Sequence, residues 1–114
     1  YREAFADLPG VTPPPDRSGT FNTFWMYTIR IDAAAAGIDS RALLKQFHEA
    51  RIQTRPLWQP MHLSPAHRDV SSMPCPVAEQ LNRECLSLPC SAGLTNDDQA
   101  RVIDVLRRTV SRSA

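Results

Sequence analysis

Ten prolines punctuate this chain, and all but Pro89 fall in three clusters: Pro9 to Pro15, Pro56 to Pro65 and Pro74 to Pro76. Each proline fixes its own φ, removes a backbone donor and pushes the preceding residue out of the helical region. No helix or central strand runs through such a cluster. Regular structure is therefore confined to the intervals between them, and the clusters read as shaped loops. A chain of 114 residues divided in this way has room for one hydrophobic core with short elements around it.

The intervals have distinct signatures. Tyr1 to Leu8 has helical composition but no residue placed to cap a start, so it reads as the end of a helix, stopped by Pro9-Gly10. Phe21 to Ile31, rich in aromatic and β-branched residues, predicts a strand with Trp25, Tyr27, Ile29 and Ile31 on one face. Asp39 or Ser40 can cap a helix from Ser40 to about Ala50, with Leu43, Leu44 and Phe47 as its apolar stripe. Ile52 to Arg55 has the length of a short strand stopped by Pro56, after which a loop runs to Pro74. Pro76 suits a first helical turn, where its missing amide hydrogen would have no partner. That makes Cys75 the N-cap of a helix reaching about Glu84. Leu86-Ser87-Leu88 predicts a strand ended by Pro89.

The last interval carries the strongest helix signal. Thr95 is an N-cap, Asp97 and Asp98 sit where the helix dipole favours negative charge, and Arg107, Arg108 and Arg112 sit near the opposite end. Val102, Val105, Leu106 and Val110 repeat at helical spacing, with Ile103 widening the stripe. The expected fold class is α+β, a small sheet of about three short strands packed with three helices.

Charge and cysteine usage narrow the function. A hydrophobic content of 42% with 22% charged residues is that of a soluble globular chain. The net charge is +1 and the arginines are spread along the chain, which argues against a nucleic-acid partner. Cys75, Cys85 and Cys90 are odd in number and form no CxxC pair, which argues against a disulfide framework or structural zinc and for a reducing, cytoplasmic setting. No apolar run approaches the roughly 20 residues that span a bilayer, so no membrane association is expected. Among the 13 basic side chains Lys45 is the only lysine, so any lysine chemistry within the chain must use it.

One stretch has the makings of a ligand wall. Arg55-Pro56-Leu57-Trp58-Gln59-Pro60-Met61-His62 displays arginine, tryptophan and histidine on a loop stiffened by two prolines. Trp58 can stack on a planar ring or sugar face, Arg55 can grip a phosphate with two parallel hydrogen bonds, and His62 can donate to a phosphate or hydroxyl. Each also has an ordinary alternative: a core plug for the tryptophan, a surface ion pair for the arginine. His62 and His67 are five apart in a proline-broken segment with no cysteine or carboxylate to complete a set, so no metal site is expected. No nucleophile elbow or glycine-rich phosphate loop occurs, and no catalytic residue is assigned.

Four segments in register carry a resemblance: Phe21-Asn22-Thr23-Phe24-Trp25-Met26-Tyr27-Thr28-Ile29, Ile52 to His62, Ala78-Glu79-Gln80-Leu81 and Leu86-Ser87-Leu88-Pro89. Their order and spacing resemble the C-terminal region of DegT-type sugar-nucleotide aminotransferases, from about Phe21 to Arg108. The resemblance implies an aspartate-aminotransferase-like fold, in which a large domain binds pyridoxal 5'-phosphate through an internal Schiff base and a small C-terminal domain closes over the site. Residues 21–114 are then expected to be the small domain, and residues 1–20 the linker and helix end leading from a large domain absent from this sequence. Lys45 has no match to the family's Schiff-base motif.

The implied reaction transfers an amino group, usually from glutamate, to a keto group of a nucleotide-linked sugar. The resemblance implies pyridoxal 5'-phosphate bound mainly by the missing large domain, with that domain, a sugar nucleotide and an amino donor as partners, in a homodimer. Arg55, Trp58 and His62, with Asn22 of the first segment, are the residues the resemblance places near the cofactor and sugar nucleotide. The alternative is a non-catalytic protein-interaction module or a dead homologue. Family members usually carry glycine before the position of Ile52, in a left-handed turn at a helix end, where this chain has Arg51.

Overall fold

The computed structural model describes residues 1–67, 69 and 73–113, the side chains of 111–113 excepted. The elements run β1 (Val11–Thr12), β2 (Tyr27–Ile31), α1 (Ala33–Ala36), α2 (Ser40–Glu49), β3 (Arg55–Pro56), α3 (Pro76–Glu84), β4 (Cys85–Leu88) and α4 (Asn96–Ser113). Short 3-10 turns lie at Glu3–Phe5, Met61–Leu63 and Pro65–His67. The strands form one antiparallel sheet in the order β1-β2-β4-β3. This is the α+β class expected, with four strands and four helices rather than three of each.

The central pair sets the register. Tyr27 faces Leu88 and Ile29 faces Leu86, so the alternation of β2 sends Tyr27, Ile29 and Ile31 into the core. All four residues of β4 are buried. Leu43 and Phe47 of α2 and Val102, Leu106 and Val110 of α4 join Ile29 and Ile31 in the same apolar cluster. Each such side chain contributes roughly 1.5–3 kcal/mol on full burial. The α4 stripe read from the sequence is the face that packs, and Thr95 caps this helix by accepting from the Asp98 amide at 3.1 Å. Arg112's side chain lies outside the described residues.

Several boundaries differ from expectation, each for a local reason. The first strand begins at Tyr27 rather than Phe21, because Asn22 Oδ1 accepts from the Phe24 amide at 2.9 Å and Phe24 takes φ 49°, which breaks extended geometry. Trp25 therefore leaves the buried face and is 75% exposed. The strand expected at Ile52–Arg55 starts at Arg55, since the Ile52 amide is used in ending α2. Pro56 lies inside this strand rather than stopping it; β3 is a sheet edge, where a missing donor is tolerated.

The helix expected over Tyr1–Leu8 is a single 3-10 turn. Phe5, Leu8 and Val11 nevertheless belong to the core, and Tyr1 stacks on Phe5 at 5.5 Å while donating to the Pro89 carbonyl at 2.9 Å. Two elements have no counterpart in the sequence reading. α1 is capped by Asp32, which accepts from the Ala34 amide, and is ended by Gly37 at φ 69°. β1 forms because Gly10, also at φ 69°, turns the chain onto the end of β2. Cys75 occupies the N-cap position of α3 without a capping bond, its thiol donating instead to the Met73 carbonyl.

Candidate functional site

The Arg55–His62 stretch is held from two sides. Its start is β3, paired to β4 with Arg55 opposite Ser87 and Pro56 opposite Leu86. Its middle and end are tied to α3: Asn82 Nδ2 donates to the Leu57 carbonyl at 2.6 Å, and His62 Nε2 lies 2.9 Å from Glu79 Oε1. Glu79 and Asn82, three apart on a helix, face the same way and grip the loop at two points. Within the loop, Gln59 Nε2 donates to the Leu63 carbonyl at 2.7 Å. The prolines restrict the chain, and these bonds choose which of the remaining conformations it keeps.

The four residues singled out in the sequence have different surroundings. Arg55 lines a cleft of about 310 Å³ together with Met26, Gln53, Ser87 and Pro89, and makes no ion pair among the described residues. Trp58 is 67% exposed, and its ring meets that of Trp25 at 5.8 Å with a 45° tilt. Cys90 Sγ donates to the Trp25 carbonyl, anchoring the second indole. Asn22 spends its carbonyl oxygen on the Phe24 amide and so shapes the loop that presents Trp25. His62 is mostly enclosed, its side chain 15% exposed, against Glu79 at 32%. Arg55 thus lines the cleft, Trp25 and Trp58 meet each other as an exposed aromatic pair, and His62 is engaged by α3.

Sequence reasoning missed Trp25, Glu79 and Asn82. Trp25 read as a strand residue, and the signal available for the α3 pair was the three-residue spacing of two polar side chains on a helix opposite a proline-rich loop. A larger cleft of about 950 Å³ runs along α2 past Arg41, Lys45, His48 and Arg51 and includes none of the four.

Comparison with known proteins decides what kind of domain presents this loop. Residues 1–107 match the model of the DegT/DnrJ/EryC1/StrS aminotransferase family. The chain belongs to that family. It is 33% identical over 107 residues to the GDP-perosamine synthase of Caulobacter vibrioides, which covers 93% of this chain and 29% of the relative. A Streptomyces venezuelae relative, dTDP-3-amino-3,4,6-trideoxy-alpha-D-glucose transaminase, is 32% identical over 98% of this chain and 29% of its own length. The crystal structure of DesI with its TDP-sugar product superposes with a TM-score of 0.86 at 32% identity, again over 98% of this chain and 29% of DesI.

The chain therefore spans under a third of the relatives it matches, and its fold is that of a small domain of the DegT/DnrJ/EryC1/StrS aminotransferases. This family is pyridoxal-phosphate-dependent. Among the described residues the chain offers a guanidinium without an ion-pair partner, two indoles and an imidazole, side chains whose chemistry suits one wall of such a cofactor site. Lys45, 76% exposed on α2, pairs loosely with Glu49 at 4.0 Å and lies in the other cleft.

Proposed function

We propose that this chain is the C-terminal small domain of a pyridoxal-phosphate-dependent aminotransferase. The enzyme moves an amino group from a donor, glutamate, onto the keto carbon of a nucleotide-linked sugar, serving glycan, polysaccharide or antibiotic-sugar synthesis. The observation that carries this reading is the family match over residues 1–107 in a chain that covers only 29% of a sugar-nucleotide enzyme. Residues 1–20 lead from the large domain, which contributes the Schiff-base lysine and most cofactor contacts, and the whole enzyme is a homodimer. Three free thiols support a cytoplasmic setting.

When bound, pyridoxal phosphate supplies the electron sink for amino transfer. This chain's own residues bind and orient. Arg55, on an edge strand and without an ion-pair partner among the described residues, offers its fork to a phosphate of the cofactor or of the nucleotide. Trp58 and Trp25 present apolar faces on which a sugar ring or base can lie. His62 presents a polar edge at the inner end of the loop, and Asn22 holds the Trp25 loop in place. Binding energy collected on this wall orients the keto carbon and displaces water.

A second reading rests on the exposed Phe21, Trp25, Trp58 and Met61: a non-catalytic module that binds another protein through such apolar side chains. Kinetics of the full-length enzyme separate the two. Trp58→Ala is expected to raise KM for a keto sugar nucleotide about tenfold with a smaller change in kcat. A full-length protein with no transaminase turnover on any keto sugar nucleotide leaves the module reading standing.

A further inference from the structure

We infer that Glu79 is a positioning residue for His62, fixing which ring nitrogen meets the substrate. The inference rests on the placement of His62 in the site proposed above and deepens it. A carboxylate only accepts hydrogen bonds, so at 2.9 Å Glu79 Oε1 fixes the hydrogen of a neutral imidazole on Nε2. The lone pair is then on Nδ1, which makes no hydrogen bond among the described residues. In its neutral form, His62 thus offers the site an acceptor. It suits a group that donates, a sugar hydroxyl or an amine, rather than a phosphate oxygen.

Three further features favour positioning over an incidental surface pair. The ring is mostly enclosed, so its orientation is set by packing as well as by the bond. The other oxygen of Glu79 lies 3.9 Å from Arg83 Nη1 one turn along α3, which places a positive charge beside the carboxylate. Asn82, on the same helix face, holds the Leu57 carbonyl, so Glu79 acts against a loop whose start is already clamped.

A double-mutant cycle in the full-length aminotransferase tests this, with kcat/KM for the sugar nucleotide as readout and thermal unfolding of each variant as the folding control. His62→Ala is expected to lower kcat/KM about 100-fold and Glu79→Ala about tenfold, and the double variant should be no worse than His62→Ala alone. Glu79→Gln, whose amide oxygen still accepts from Nε2–H, should recover to within about threefold of the parent. Losses that multiply in the double variant overturn the inference, as does an unimpaired Glu79→Ala beside an impaired His62→Ala. An unimpaired His62→Ala overturns the site reading, and this inference with it.

Discussion

Arg51 takes φ 58°, a left-handed conformation that costs a side chain with a Cβ roughly 1–2 kcal/mol. The chain accepts it because the turn satisfies two carbonyls at once: the Arg51 amide donates to His48 at 2.9 Å and the Ile52 amide to Phe47 at 2.9 Å. Ile52 and Phe47 are both buried, completing the apolar contact that accompanies this helix ending. Arg51→Gly is therefore expected to stabilise the chain by about 1 kcal/mol, read as a higher urea midpoint with unchanged m-value. Gly10 is the opposite case. A Cβ there would lie 2.5 Å from the Ala36 amide nitrogen and 2.6 Å from the Asp32 carbonyl oxygen, both backbone atoms that cannot swing aside. Gly10→Ala should cost about 3 kcal/mol or more, visible as a fall in midpoint by the same measurement. The left-handed turn at Arg51 was implied only by the family resemblance, through the glycine that relatives usually carry there, and the tightness at Gly10 was not legible at all, since it depends on α1, an element too short and too uniform in alanine to announce itself.

At the scale of elements, α2 and α4 are anchored by buried side chains and α3 is not: none of its residues is buried. What holds α3 is polar. Ser40 Oγ donates to the Arg83 carbonyl, Arg41 Nη2 donates to the Asn82 carbonyl at 3.0 Å, Arg30 pairs with Glu84, and Glu79 and Asn82 bind the site loop. Such a helix opens at lower free energy than its neighbours. In hydrogen exchange, amides of α3 should exchange faster than those of α2 and the middle of α4, and Asn82→Ala should quicken exchange in α3 and Leu57 together. Equal protection across the three helices would contradict this. α2 and α4 were legible because their caps and apolar periods are local, and α3 because Pro76 marks its first turn. The strands were less so, because strand limits are set by partners: β1 exists only where β2 accepts it, and β3 only as far as β4 extends. The same divide governs the site. Arg55, Trp58 and His62 share one loop and could be read together, while Trp25 and Glu79 reach them only through the fold.

Across the whole molecule, the first turn is fastened to the last helix. Arg107 donates to both oxygens of Asp7 at 2.7 Å and to the Ala4 carbonyl at 2.6 Å. The Arg107 hydrogen bonds hold the Asp7 carboxyl down at about 2, below its ordinary 3.8. A carboxyl depressed in the folded state contributes stability that is fully present above its unfolded value and is lost as pH falls through the folded one. Parent and Asp7→Asn should therefore differ in urea midpoint above about pH 5 and converge near pH 2 and below. A difference that persists unchanged in acid would mean that the pair contributes nothing through its charge. The same fastening brings Phe5, Leu8 and Val11 into the core of a domain that spans 29% of a relative's length, and the function proposed for the whole enzyme draws on the part of the fold that its relatives have beyond this domain. The direct measurement is amino transfer from glutamate to keto sugar nucleotides by this chain alone and by the chain co-expressed with the large domain. The account predicts turnover only in the second case, and steady turnover by this chain alone would contradict it.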